Sequence, residues 1–268
     1  MALISDFTDL YRELGLYSEN HHELPLHRVC SHAQSCWDHA KGRKPPEDKG
    51  WSSISRPWVG PKYNELRLVV IGENFNEYGG LDALVELSEE AKDLIAEGWR
   101  RIRFSNSFDE YPGSLLWHRI GCYAAAFGEA CGAAQPQWDQ DGYPKATDAS
   151  LAYDLIAFVE HVKCSPVGDK SHPTGAMWEH CGSHILKREL QLLAPDHVLI
   201  LGTSNNAWGM REKVYDSGWK KEVRFGSVTK AIGTIGGKSV TAWVVPHPTS
   251  RGDSAGENIK TLREALRV

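Results

Sequence analysis

The sequence predicts an α/β fold: a three-layer α/β/α sandwich around a central, mainly parallel sheet of about four strands. A chain of 268 residues can bury a substantial core in one domain. Residues 155–201 read as strand, helix and strand, and such a unit favours a crossover connection and a parallel sheet. Further apolar runs at residues 66–71 and 240–245 supply the other core strands. Parallel sheets bind ligands beyond the carboxyl ends of their strands, where we expect function.

The strand–helix–strand unit is the best-defined part of the chain. Residues 155–162 are apolar enough for an interior strand, and Pro166 ends it because proline cannot join the ladder. Residues 174–193 carry an apolar face at helical spacing, and Pro195 stops that helix. Residues 197–201 return as a strand.

The other elements are assigned in chain order. Residues 1–58 form an extension with a helix at 6–16 and two cysteines, and residues 59–268 form the core. We predict helices at 81–99, 114–128, 205–214 and 255–266, strands within 222–234 and at 240–245, a loop at 72–80 and a variable surface loop at 133–149.

Charge and hydropathy limit the possible environments. The net charge is -5, but residues 201–268 carry eleven basic and six acidic residues, a balance of +5, which leaves -10 for the first 200. The basic C-terminal quarter, residues 201–268, makes DNA a possible partner, and a solvated face is the alternative. No apolar run reaches the roughly 18 residues of a membrane span, and the first residues are acidic and amphipathic, unlike a signal peptide. We therefore expect a cytoplasmic protein with reduced cysteines and no membrane partner.

Three motifs follow one another along the chain: LRLVVIGE at 66–73, VKCSP at 162–166 with ELQLLAP at 189–195, and VVPHPTS at 244–250. Together they resemble the iron–sulfur class of uracil-DNA glycosylases, family 4, and its family 5 relatives. The resemblance covers most of residues 60–268. It implies a monofunctional DNA glycosylase that flips a nucleotide out of DNA and leaves an abasic site, with no obligate protein partner evident.

The cysteines are candidate metal ligands. Cys164 and Cys181 match the family's second ligand pair, and Cys30 and Cys36 fall where the first pair is expected, although five residues separate them instead of two. The resemblance therefore implies a structural [4Fe-4S] cluster, because four thiolates suit such a cluster. Ordinary buried thiols and a zinc site, with His27 or His32, remain alternatives. We assign Cys122 and Cys131 to the core.

The loop after the first core strand supplies the candidate catalytic groups. Glu73 matches the acidic residue of the family pattern GEAPG, and a carboxylate there stabilises an oxocarbenium-like state or orients water. Asn74 is the second candidate for holding water. Phe75 and Asn76 replace the family's pocket residues and would contact the base. The alternative is that Glu73 and Asn74 cap the next helix.

The VVPHPTS motif supplies a histidine and a DNA-contacting loop. His247 matches the family histidine that stabilises the negative charge on the departing base. Thr249, Ser250 and Arg251 resemble the loop that enters the duplex and grips phosphates. Phe104 is the candidate for stacking on the flipped base, with Phe108 and Phe75 as alternatives. The other histidines, including 118, 172, 180 and 184, are expected to be structural.

One departure bears on the substrate. The family carries Asn in a run like NVVKC to read uracil, and here Glu160 begins EHVKC. An ionised carboxylate would repel uracil O4 but accept from the amino group of cytosine. This favours a C5-modified cytosine, such as a hydroxymethylated or glucosylated base of phage DNA, and hence antiviral defence. Alternatively Glu160 points away, and His161 or water reads the base.

Three other functions stay open at this point. The chain could be an ordinary uracil-DNA glycosylase of base excision repair. It could be a non-catalytic DNA-binding module, since the GEAPG and NVVKC motifs are altered, or a hydrolase of free nucleosides. No lysine is placed as a Schiff-base nucleophile, so strand cleavage is not expected.

Overall fold

The fold is α/β, as expected, with one seven-stranded mixed sheet and helices on both faces. The computed structural model describes residues 2–16, 30, 32, 35, 55–74, 83–102, 114–163, 173–248 and 255–268. The strands are β1 (Trp58–Val59), β2 (Leu68–Asn74), β3 (Ile156–Val162), β4 (His197–Leu201), β5 (Lys221–Phe225), β6 (Val228–Ile235) and β7 (Lys238–Val245).

The order of the strands across the sheet is β1-β3-β2-β4-β7-β6-β5. Parallel pairing joins β3 to β2, β2 to β4 and β4 to β7. The remaining three pairs are antiparallel: β1 with β3, and the β5-β6-β7 meander. The expectation of about four mainly parallel strands is therefore wrong in its strand count. A parallel centre is present, but three antiparallel strands extend it on both sides.

The helices are α1 (Ala2–Glu13), α2 (Tyr63–Leu66), α3 (Ala83–Ala96), α4 (Leu116–Ala130), α5 (Ala146–Ala152), α6 (Gly175–His180), α7 (Lys187–Leu193), α8 (Asn205–Gly209) and α9 (Ala255–Leu266). A π-helical stretch, Cys181–Leu186, joins α6 to α7, and another, Met210–Val214, extends α8. Thr174 caps α6 by accepting the amide N–H of Met177. At the other end of this continuous helical stretch, Ala194 caps α7 in the left-handed region of backbone conformation.

The period-two alternation of the central strands divides the core into two layers. In β2, Leu68 and Val70 contact the layer formed by α3, α4, α5 and α9, which we call face A. Val69 and Ile71 contact the layer formed by α1, α6, α7 and α8, which we call face B. Both layers are apolar and buried, so the centre of the sheet is shielded from water on both sides.

Some local expectations are corrected by the structure. The segment 133–149 is not a plain surface loop, because Ala146 begins α5 and Ala149 is fully buried. Cys122 lies in the core as expected, but Cys131 is exposed at the end of α4. In the described parts of the chain, no helix is long and apolar enough to cross a membrane.

Candidate active site at the carboxyl ends of the parallel strands

The central strands β2 and β4 lie side by side, and the chain leaves them toward opposite faces. After β2 it continues to α3, α4 and α5 on face A, whereas after β4 it enters α8 on face B. Adjacent strands with diverging connections create a crevice at their carboxyl ends, which is the usual ligand position in open α/β sheets. Glu73, Glu160 and His247 all lie at this edge of the sheet.

Glu160 is a buried carboxylic acid near the end of β3. Its side chain is 6 % exposed, and Oε2 has no hydrogen-bond partner among the described residues. It pairs in register with Gly72 of β2, and a Cβ at Gly72 would overlap its carboxyl group. Glycine is therefore needed at position 72 to make room for this side chain. Burial raises the pKa of Glu160 to about 8, although the nearby positive charge of Lys163 lowers it and the charge of Glu73 adds a smaller increase.

That pKa changes the premise from which the cytosine preference follows. That preference requires Glu160 to be an ionised group that only accepts hydrogen bonds. At neutral pH the buried carboxyl is mainly neutral, so it carries one O–H donor and one carbonyl acceptor.

Glu73 follows Gly72 and is half-buried. Successive strand residues point to opposite faces, so Glu73 extends toward face B while Glu160 lies on face A. The two carboxyl groups are nevertheless close enough for the charge of Glu73 to act on the pKa of Glu160. The end of β2 thus places the charge of Glu73 near the Glu160 carboxyl, which burial keeps mainly neutral.

His247 lies two residues beyond the end of β7 and is half-buried. Burial, and to a lesser degree the positive charge of Arg119 on α4, lowers the pKa of His247. Its imidazole is therefore neutral at pH 7 and has one N–H donor and one acceptor nitrogen. Because β4 lies between β2 and β7, His247 and Glu73 are separated by two strand spacings, about 10 Å.

His161 does not share a surface with Glu160. It is fully buried on face B, where the indole of Trp178 meets its ring edge-on at 4.6 Å between centroids. A Cβ on Gly182 would lie 2.8 Å from its Nε2, which shows how closely the helix layer covers the ring. Burial lowers the pKa of His161 to about 3, so the imidazole is neutral. The structure thus separates the two residues that were both candidates for reading the base.

Asn206 connects the two strands that border the crevice, β2 and β4, through buried hydrogen bonds. Its side-chain nitrogen lies 3.2 Å from the carbonyl oxygens of Ile71 and Gly72 and 2.9 Å from that of Leu201, and donates to them. Its carbonyl oxygen lies 2.9 Å from Nδ1 of His161 and accepts that proton. The Asn206 side-chain amide therefore connects the ends of β2 and β4 to the side chain of His161 in β3.

A second buried network fixes the end of β3. The Lys163 ammonium lies 2.5 Å from Glu189 of α7, and the two side chains are 3 % and 0 % exposed. Tyr11 of α1 donates a hydrogen bond to the other oxygen of Glu189. Burial and the neighbouring Glu189 raise the pKa of Tyr11, so its hydroxyl stays protonated as a donor. The VKC and ELQLLAP motifs therefore meet in space.

Two of the four candidate metal ligands lie in the described residues. Cys181 is buried, and its Sγ lies 3.5 Å from the backbone N of Lys163, the residue before Cys164. Cys30 is half-buried and packs against the face B core that contains Cys181. A buried sulfur that accepts a backbone N–H is compatible with a thiolate ligand at Cys181, and Cys30 packs on the same face of the sheet. Cys36 and Cys164 lie outside the described residues.

Several other candidates also lie outside the described residues. They are Phe75, Asn76, Phe104, Thr249, Ser250 and Arg251. Asn74 is the last residue of β2 and pairs in register with Val162, and only its backbone is described. The predicted base-stacking and DNA-contacting groups therefore remain predictions.

Sequence reasoning missed Asn206, Arg119 and Tyr11. Asn206 is one of two adjacent asparagines at the start of α8, and no motif or spacing in the sequence distinguishes it from Asn205. Arg119 follows His118 in an apolar helix, and nothing in its spacing connects it to His247. Tyr11 lies in a segment without any motif, 178 positions from its partner.

Comparison with models of known protein families gives no match to this sequence, and comparison with curated proteins gives no significant relative. The functional hypothesis therefore depends on the motifs and on the geometry of the strand ends.

Proposed function

We propose that this protein is a monofunctional DNA glycosylase that excises a modified pyrimidine and leaves an abasic site. The observation that carries the proposal is the buried Glu160 carboxyl at the carboxyl end of β3, whose Oε2 has no hydrogen-bond partner among the described residues and lies beside the crevice between β2 and β4. An uncompensated buried polar group is costly, and a ligand that supplies its partner recovers that cost. A pyrimidine edge offers donors and acceptors of the right kind.

The chemistry assigns a different role to each group at the strand ends. Water attacks the sugar carbon as the bond to the base nitrogen breaks, and positive charge builds on the sugar. Glu73, supported by its place at the end of β2, stabilises that charge or orients the water. His247 is neutral and donates an N–H to the base carbonyl, which stabilises the departing base anion.

The favoured substrate is a cytosine with a C5 substituent, as in phage DNA, which would make the enzyme an antiviral defence. A neutral Glu160 can accept from the cytosine amino group and donate its O–H to N3. His161 then acts through Asn206 to position the strand end and does not touch the base.

Uracil is the second candidate, and the neutral state of Glu160 favours it. The same carboxyl can donate to uracil O4 and accept from N3–H once its proton occupies the other oxygen. An ionised Glu160 would reject uracil through repulsion at O4. The protonation state therefore brings a repair glycosylase back into consideration.

The resemblance also implies a [4Fe-4S] cluster, which would hold the N-terminal segment against the core. Cys30, Cys36, Cys164 and Cys181 would bind it, supported by the burial of Cys181 and the packing of Cys30 on the same core. Its contribution is structural. The basic C-terminal quarter, with Thr249, Ser250 and Arg251, would contact the phosphates.

The test is an abasic-site assay on three matched duplexes that contain uracil, 5-hydroxymethylcytosine or its glucosylated form. Wild type, Glu160→Gln and Glu160→Leu are compared, because Gln keeps a donor and an acceptor and Leu keeps neither. We expect excision of a modified cytosine, retained in part by Glu160→Gln and lost in Glu160→Leu.

Each other result identifies an alternative. Excision of uracil alone by the wild type would replace the cytosine assignment with base excision repair. No abasic sites on any duplex, with salt-dependent DNA binding intact, would establish a non-catalytic DNA-binding module. If Glu160→Leu were as active as the wild type, Glu160 would have no role in base recognition.

A further inference from the structure

Three histidines outside the crevice form a compact group, which we call the histidine cluster: His32, His180 and His184. His180 ends α6 and His184 lies one turn later in the π-helical stretch, so both project from the same side of the helix. His32 stacks on His180 with 4.1 Å between ring centroids and is parallel to His184 within 4°, at 5.4 Å. The three imidazoles thus come from two distant parts of the chain.

The available nitrogen atoms of the cluster lie close together. One ring nitrogen from each histidine can be chosen so that all three lie within 4.8 Å of one another. Nδ1 of His180 is buried and has no hydrogen-bond partner in the described ranges, and its Nε2 lies 3.5 Å from Ser35 Oγ. A buried imidazole nitrogen without a partner indicates that a group able to accept its lone pair or its proton belongs there.

Electrostatic repulsion disfavours protonation of all three imidazoles in this cluster. Three imidazoles at these distances would repel one another if all were protonated. Glu179, the nearest acidic neighbour in sequence, already forms an ion pair with Lys213. A divalent cation shared by three neutral imidazoles resolves the problem, because each lone pair is then satisfied by one central charge.

We propose that His32, His180 and His184 together bind one divalent transition-metal ion of the zinc class. Imidazole nitrogen is a preferred ligand for zinc, copper and nickel, and three histidines leave a fourth position for solvent. Tetrahedral coordination with bonds of about 2.0–2.1 Å needs nitrogens about 3.3 Å apart. His184 is exposed and can rotate inward to close the remaining distance.

The metal would serve to fasten the N-terminal segment to the helix. His32 lies two residues after Cys30, and His180 directly precedes Cys181, yet the Cys181 sulfur points into the core toward Lys163. The histidine site is therefore adjacent to the proposed cysteine site but uses different ligands. Binding of the ion fixes residues of the segment around His32 and so contributes to stability.

The test titrates chelator-treated full-length protein with Co²⁺, whose absorption reports its ligands. We expect one equivalent to bind wild type with a d–d spectrum that lacks a thiolate-to-cobalt charge-transfer band. His184→Ala and His180→Ala should weaken binding at least about 100-fold, since loss of a ligand exceeds the 10- to 100-fold cost of losing an outer-shell partner. Two control variants should bind as wild type does: His197→Asn, which alters a histidine in β4, and Cys131→Ser, which alters an exposed cysteine after α4.

Thermal unfolding supplies a second readout that does not depend on spectroscopy. Zn²⁺ should raise the Tm of wild type and of His197→Asn, but not of His184→Ala, whose exposed side chain can be removed without loss of the fold. The proposal is overturned if wild type fails to bind Co²⁺, or if His180→Ala and His184→Ala bind it as tightly and with the same spectrum as wild type. Glycosylase activity is not part of the test, so the two proposals fail independently.

Discussion

The Lys163 ammonium and the Glu189 carboxylate lie 2.5 Å apart in the interior and are almost completely shielded from water. This pair connects the end of β3 to α7, and Tyr11 of α1 completes it. Burying two charges is costly, so such a pair adds little net stability, but removing one partner leaves an uncompensated charge. The pair therefore fixes the geometry of the strand end that precedes Cys164.

We expect Lys163→Met to lower the free energy of unfolding by about 3–5 kcal/mol, because Glu189 stays buried without its counter-charge and keeps only the hydrogen bond from Tyr11. The double variant Lys163→Met/Glu189→Leu should be less destabilised than the sum of the single variants. Urea unfolding measures all three. Arg188→Met, which removes the exposed pair with Glu13, is the control and should cost no more than about 1 kcal/mol. Additive costs in the double variant would contradict a direct Lys163–Glu189 coupling.

Asn206→Ala should destabilise the protein by about 2–4 kcal/mol, because three backbone carbonyls and the His161 Nδ1 proton lose their buried partner. Chemical denaturation measures the loss. Its neighbour Asn205 is exposed, so Asn205→Ala is a matched control for which we expect less than about 0.5 kcal/mol. Equal effects of the two substitutions would show that Asn206 does not hold the strand ends together.

Glu160 should make stability depend on pH. Its pKa is about 8 in the folded protein and 4.5 for an ordinary glutamate in water, so the folded state binds the proton more tightly. The contribution of Glu160 to the free energy of unfolding is fully present below pH 4.5. It falls by a few kcal/mol as the pH rises from 4.5 through 8. Unfolding at pH 5 to 9 should show this decline in wild type and not in Glu160→Gln.

The control for that pH dependence is Glu86→Gln, an exposed glutamate on α3, which should decline as wild type does. A parallel decline in Glu160→Gln would assign the pH dependence to another group.

His247→Gln should lower the single-turnover rate of base excision by about 10²–10³-fold, because the departing base loses its donor. The matched control His197→Asn should leave that rate unchanged. Because burial lowers the pKa of His247, its neutral form is already present above pH 6.5, and the wild-type rate should not fall as pH rises through that value. A rate that does fall there would indicate that the protonated imidazole is the active form.

The sequence was most informative where one signal was strong. Residues 197–201 and 255–266 were predicted with the bounds that the structure has, because each is a clear apolar run or helical face. The two-residue strand β1 has too few residues for any periodicity, and it was missed. The antiparallel meander was seen as strands but not as part of the same sheet, because pairing between distant segments leaves no local signal.

The candidate site was predictable in part. Period-two alternation already places Glu160 and His161 on opposite faces, and the structure confirms that separation. The neutral state of Glu160 could not be predicted, because it depends on burial by β2 and on Gly72 opposite. The partners of Asn206 are backbone carbonyls up to 135 positions away, and backbone groups carry no sequence identity.

The contact between Tyr11 and Glu189 also bears on the order of events during folding. The two residues are 178 positions apart, so the chain must close a very long loop before the hydroxyl can reach the carboxylate. The Lys163 charge can be sealed from water only after α1 has docked on α7. We therefore expect Lys163, at the end of β3, to reach its final geometry late in folding, after the local helices and the β5-β6-β7 meander have formed.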